Sequence, residues 1–199
     1  MVLCTQKAAG WLCSAARRFA ARFSRNTSGF TAIEFAAVSM PFVLLIFGII
    51  SVCLFFFTTF ALENAVWQAS RTVRTGQFQN GAGAYASMTA DQKKAAFKAA
   101  VCNLAPSFVD CAGRVRVMMQ ARSDFNGIAE PDCLNAGNLI DEAAAGANFD
   151  AGSASSVVLV TACYAWQFGG HLPFMHMGKM ADGSLLIQAS AAFRSEPYN

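Results

Sequence analysis

Charged residues are scarce in this sequence, and histidine is scarcer still. Of 199 residues, 14% are charged and two are histidines, His171 and His176. No carboxylate or thiol stands at helical spacing from either histidine, so the pattern does not indicate a metal site. The sequence also has no C-x-x-C and no G-x-S-x-G motif, which argues against a redox dithiol, a zinc knuckle and a serine-hydrolase nucleophile. We therefore expect no enzyme activity, no cofactor, no metal and no small-molecule substrate.

Negative charge is missing from the first 33 positions. The basic residues there are Lys7, Arg17, Arg18, Arg22 and Arg25. From Glu63 onward, ten basic and eleven acidic residues nearly cancel, so no basic face for nucleic acid is predicted. A basic segment next to an apolar helix follows the positive-inside rule, which predicts a cytoplasmic N-terminus and a domain on the opposite side of the membrane.

Charge of either sign is missing from residues 35–62, a run of 28 residues. A helix needs about 20 apolar residues to cross the hydrocarbon core of a bilayer, so this run predicts a transmembrane helix. The run is too long for the apolar part of a cleaved secretory signal. The helix is expected to continue to about Thr75, to end at Gly76 and to kink at Pro41, which lacks a backbone donor.

Residues 76–199 predict a small α+β domain. A Gly-rich connector over 76–88 precedes a capping box, Thr89 to Gln92, which predicts a helix to about Leu104. Strands are predicted over 114–120, 156–168 and 184–194, with Val115, Val117 and Met119 of the first facing inward. Residues 122–155 read as loop with a short helix near 139–145. The expected architecture is a helix packed on a three-stranded antiparallel sheet.

The cysteines divide along the same boundaries. Cys4 and Cys13 precede the apolar run, Cys53 lies inside it, and four follow it: Cys102, Cys111, Cys133 and Cys163. Four cysteines in an oxidising compartment predict two disulfides, with three possible connectivities. We favour Cys102–Cys111, which closes a short loop, together with Cys133–Cys163, which closes a longer Gly- and Asn-rich loop.

The start of the apolar run carries a specific motif. Residues 29–34, GFTAIE, resemble the prepilin-peptidase recognition pattern of type IV pilins and pseudopilins. The resemblance implies cleavage between Gly29 and Phe30, which would leave Glu34 at the fifth place of the mature chain. It also implies that Glu34 sets the assembly register by pairing with the terminal amine of a neighbouring subunit. The alternative is an interfacial glutamate at the mouth of an ordinary, uncleaved signal anchor.

A longer stretch resembles the TadE/TadG-like pseudopilin family of the tight-adherence (Flp pilus) system. The residues that carry this resemblance are Gly29, Glu34-Phe35-Ala36, Pro41, the segment from Ala69 to Gly76, Cys102 and Cys111, Tyr164 and Trp166, and Arg194 to Tyr198. We expect no adhesion-type domain to follow, which would favour a TadE-like member. The resemblance implies a bacterial inner-membrane protein with a basic cytoplasmic leader over 1–29, a transmembrane and extended helix over 30–75, and a periplasmic α+β domain over 76–199.

The resemblance also implies a function. A protein of this kind would be a minor pilin or pseudopilin that acts in pilus assembly and surface adhesion. Its partners would be membrane lipid, the prepilin peptidase and other pilins and pseudopilins. The alternative is an uncleaved, single-pass, membrane-anchored periplasmic scaffold or sensor.

Overall fold

The computed structural model describes residues 29–170, 178 and 180–198. Contacts divide the chain into two compact units, and the boundary falls between Ile50 and Ser51. The second unit includes the last turns of the long helix as well as everything that follows it. The proposed leader before Gly29 and both histidines lie outside the described residues. The division at residue 75 stays a prediction.

The long apolar stretch forms a single helix, α1, which spans Phe30–Arg74 and includes Pro41. It ends close to where the sequence predicts, because Gly76 adopts φ +75°, a left-handed conformation that glycine reaches without steric cost. Arg71 and Arg74 lie in the last turn, where cations interact favourably with the helix dipole. The kink expected at Pro41 stays a prediction.

Shorter helices follow α1. They are α2 (Gln77–Asn80), α3 (Ala90–Leu104), α4 (Cys111–Arg114) and α5 (Glu142–Ala147), with 3₁₀ turns at Gly83–Tyr85 and Gln167–Gly170. The predicted capping box starts α3, since the Gln92 N–H donates to Thr89 Oγ1 at 3.3 Å and the Thr89 N–H donates to Gln92 Oε1 at 2.9 Å. The helix expected near 139–145 starts later, because Asp141 caps α5 by accepting the Ala144 N–H at 2.6 Å.

Three strands form the main sheet, which confirms the α+β fold class. They are β1 (Val115–Arg122), β4 (Val157–Trp166) and β5 (Leu185–Arg194), all antiparallel in the order β1-β4-β5. Two very short strands, β2 (Leu134–Asn135) and β3 (Asn138–Leu139), form a separate ribbon in a region predicted to be loop and one short helix.

Both faces of the main sheet are covered. On one face, α3 and the end of α1 pack in a cluster that contains Val115, Val117 and Met119, as their predicted inward orientation requires. On the other face, Met118 packs in a smaller cluster with the Cys133–Cys163 pair. This double covering explains why β4 is buried at all ten of its positions.

The end of α1 runs along the sheet. The Phe55 ring lies 5.9 Å from the ring of Trp166, the last residue of β4. Nineteen residues later, the Arg74 carbonyl accepts the N–H of Glu196, just after β5, at 2.8 Å. The strands have two ends in common. We call the strand ends at Val115, Trp166 and Leu185 the Phe55 end, and the opposite strand ends, at Arg122, Val157 and Arg194, the Arg74 end.

Candidate functional site

The predicted cleavage position coincides with the start of α1. Gly29 directly precedes the first residue of the helix, Phe30, whose surface is 63% exposed. A Cβ added at Gly29 would meet no atom within 4 Å, so packing among the described residues does not require glycine here.

Glu34 lies about one turn into α1 and is exposed. Among the residues that the structure describes, none forms an ion pair with its carboxylate. Phe30 and Glu34 thus lie in the first turns of α1, and Gly29 directly precedes them. Pro41 follows two turns further along.

The surface of α1 before Leu62 is apolar and open. Residues 35–62 carry no charge, and most of their large apolar side chains are exposed. Among the described helices, α1 is the one that by length and composition could cross a membrane. Side chains such as Phe35, 75% exposed, and Phe47, 58% exposed, need lipid or another protein to cover them.

The end of α1 is held by the segment after β5. The backbone carbonyl of Arg74 accepts the N–H of Glu196, and Arg74 Nε lies 3.5 Å from Glu196 Oε1. The Tyr198 ring packs against Gly76 so closely that a Cβ there would overlap it. Burial raises the pKa of Tyr198. These residues, Arg74, Gly76, Glu196 and Tyr198, form what we call the helix-end clamp; sequence reasoning left the role of 196–198 open.

The four cysteines that follow α1 form two disulfides, Cys102–Cys111 and Cys133–Cys163, which is the connectivity favoured from the sequence. The first joins the end of α3 to the start of α4. The second joins the loop before β2 to the middle of β4, where Cys163 is fully buried. Each disulfide fixes an element that has little core of its own.

A group of charged side chains connects α5 to α3 and β1. Lys98 Nζ lies 2.8 Å and Arg116 Nη1 lies 3.3 Å from the Glu142 carboxylate, which fastens α5 beside α3 and β1. A cleft of about 460 Å³ lies at this junction, with Lys94, Lys98, Glu142 and Phe149 in its wall. Its charges are engaged with one another or, for Lys94, with the Gly146 carbonyl at 3.2 Å.

Two pKa shifts also have structural causes. The pKa of Asp182 lies below its usual range because Ser184 donates its N–H to one carboxylate oxygen at 2.9 Å and its hydroxyl to the other at 2.8 Å. Burial raises the pKa of Tyr164. Over residues 29–170, 178 and 180–198, no group of three or more His, Cys, Asp and Glu side chains could hold a metal ion.

These features define a class: an α+β domain fused to one long apolar helix that is a candidate membrane anchor. Residues 29–71 match the family model described as TadE-like protein. The match begins at Gly29 and ends at Arg71, near the end of α1, so the resemblance drawn from the sequence is confirmed over this segment. Searches of curated proteins and of solved structures gave no match.

Proposed function

We propose that this protein is a minor pilin or pseudopilin of a tight-adherence (Flp-type) type IV pilus system, where it acts in pilus assembly and surface adhesion. The observation that carries the proposal is that three features coincide at Gly29. Gly29 starts the TadE-like match, α1 begins at the next residue, and Glu34 is the fifth residue after the glycine. We propose that its partners are the prepilin peptidase, membrane lipid and other pilins and pseudopilins.

Glu34 supplies the physical reason for assembly. A carboxylate at the boundary of the hydrocarbon region is costly unless it is paired. Cleavage after Gly29 would create a new amine on Phe30, and the amine of one subunit can neutralise the Glu34 carboxylate of its neighbour. Such pairing would fix the axial register between subunits while the open apolar surface of α1 supplies packing.

The proposed placement is a single pass through the bacterial inner membrane, with the N-terminus in the cytoplasm and the disulfide-bonded domain in the periplasm. The basic residues before Gly29 support this orientation through the positive-inside rule. The two disulfides support an oxidising compartment for the domain. We propose no catalytic role; the relevant reaction is peptide cleavage performed on this chain.

Cleavage is tested by the N-terminus of the protein from cell envelopes. We expect Phe30 as the first residue, and we expect Gly29→Val to abolish this processing. Because the position is open, the variant should still fold and insert. Ala32→Val adds bulk to the same exposed turn but keeps the glycine, so it should be processed normally. A wild-type protein that begins at Met1 in cells with active prepilin peptidase would support the uncleaved scaffold or sensor instead.

The role of Glu34 is tested separately. Glu34→Ala should leave membrane insertion intact and reduce piliation or surface adhesion, because the neighbour's amine loses its partner. Glu63→Ala removes the other carboxylate of α1 and serves as the matched control. Pilus counts by electron microscopy and a surface-adhesion assay give the readout. Unchanged piliation in Glu34→Ala cells would remove Glu34 from the proposed role.

A further inference from the structure

Exposed phenylalanines from separate parts of the chain meet at the Phe55 end of the sheet. Phe56 and Phe57 of α1 are 51% and 55% exposed, Phe108 before α4 is 53% exposed, and Phe168 after β4 is 69% exposed. We call these four residues the aromatic rim. These exposed fractions are high for such large apolar side chains that lie together at one end of a domain.

Ring contacts connect the rim to α1. The ring centroids of Phe57 and Phe108 lie 6.1 Å apart. Phe168 stacks on Trp166 at 6.3 Å, and Trp166 in turn lies 5.9 Å from Phe55. The segments that contain Phe108 and Phe168 therefore place these phenylalanines beside the same turn of α1, residues 55–57.

The Arg74 end of the sheet is different in character. Its edge carries Arg122 and Arg194 and the pair formed by Arg74 and Glu196. It has one exposed phenylalanine, Phe125, which is 59% exposed and makes no ring contact within the described part of the chain. Eight residues of β1 separate the two ends, a distance of about 26 Å. Within the described part of the chain, the exposed phenylalanines that make ring contacts between separate segments thus lie at the Phe55 end, while the exposed Trp67 lies further along α1.

The length of the apolar run places this end at a bilayer surface. Starting from Phe35, about 20 helical residues cover the roughly 30 Å hydrocarbon core, which brings the far boundary to about Leu54. Of the next residues, Phe55 contacts Trp166 and Phe57 contacts Phe108. The surplus of the charge-free run, residues 55–62, therefore lies where the rim lies.

We propose that the aromatic rim is a second membrane contact, through which Phe108 and Phe168 insert into the lipid interface around the point where α1 leaves the bilayer. This inference rests on the membrane anchoring included in the proposed function. Its driving force is the removal of apolar ring surface from water, as for interfacial segments with Phe on their buried side. Asp110 and Asp182 both lie within 4.0 Å of the Arg114 guanidinium, so this group of three side chains has a net charge of −1 and does not attract anionic lipid.

Photo-crosslinking of the full chain in a bilayer tests the proposal. A benzophenone amino acid replaces Phe108, Phe168, Phe125 or Ile46, one at a time, in protein reconstituted into phosphatidylethanolamine and phosphatidylglycerol vesicles. Lipid adducts are then measured by mass spectrometry. Phe125 is the matched control at the Arg74 end, and Ile46 reports on the membrane span itself. All four side chains are exposed, and intact disulfides on non-reducing gels check the fold of each variant.

The expected result is lipid adducts at positions 46, 108 and 168 and no lipid adduct at position 125. The same pattern in vesicles of phosphatidylcholine alone would support a contact driven by apolar surface. Adducts at 46 without any at 108 and 168 would overturn the rim as a membrane contact but leave the anchor intact. Adducts at 108 and 168 to a second copy of the chain, in place of lipid, would assign the rim to subunit packing. No lipid adduct at any position, including 46, would contradict the membrane anchoring of the proposed function.

Discussion

The helix-end clamp predicts a specific energetic coupling between Gly76 and Tyr198. Gly76→Ala has two costs. A left-handed φ of +75° costs a residue with a Cβ about 1 kcal/mol. The new methyl also overlaps the Tyr198 ring, which must move out of its packed position. Losing part of the burial of one large side chain costs a further 1–2 kcal/mol, approximately.

A double-mutant cycle separates the two costs. We expect Gly76→Ala to destabilise the wild-type protein by about 2–3 kcal/mol but the Tyr198→Ala background by about 1 kcal/mol, because only the backbone strain then remains. The coupling energy is therefore about 1–2 kcal/mol. Denaturant unfolding of the full chain in detergent, followed by tryptophan fluorescence, measures each free energy of unfolding.

Gly146→Ala is the control for this cycle. Gly146 lies in α5 with open space around it, so alanine there should be neutral or stabilise by up to about 1 kcal/mol. Additive effects of Gly76→Ala and Tyr198→Ala, within about 0.5 kcal/mol, would refute the contact between the two residues. An unchanged stability in Gly76→Ala alone would refute the left-handed turn.

Two further predictions concern the domain. Thr89→Ala should destabilise it by about 1 kcal/mol, because α3 loses the oxygen that accepts the Gln92 N–H; thermal unfolding by circular dichroism measures this, and an unchanged midpoint would count against the capping box. Removing the Cys133–Cys163 disulfide by alanine substitution should cost about 1 kcal/mol more than removing the other one, since it closes a loop of 30 rather than 9 residues. Denaturant unfolding of the two double variants gives the comparison, and the opposite ranking would contradict it.

The elements predicted well from the sequence are those with a local signal. The absence of charge predicts α1, Thr89 and Gln92 predict the start of α3, and polar–apolar alternation predicts the inward residues of β1. The bounds of the sheet strands differ from the prediction by one or two residues, because a pattern of side chains does not show which backbone groups pair.

The remaining features depend on contacts between distant parts of the chain. Met118 breaks the alternation of β1 because the segment from Cys133 to Ala145 covers the second face of the sheet. The consecutive apolar residues Met118 and Met119 are the signal that could have predicted two-sided burial. Phe108 and Phe168 lie in loops of unremarkable sequence, and only the antiparallel register of β1 and β4 brings them to one end.

The helix-end clamp also sets the order in which this domain is completed. Arg74 and Glu196 are joined across more than one hundred intervening residues, and β4 lies between strands that precede and follow it in the chain. In a chain whose N-terminus stays in the cytoplasm, as proposed, the domain would be translocated in sequence order, so α1 would be in place well before β5 emerges. Until residue 194 has crossed, the sheet would lack an edge strand, and until Tyr198 follows, Gly76 at the end of α1 would lack its contact with the Tyr198 ring. On the proposed orientation, the domain would therefore close only after both segments have crossed.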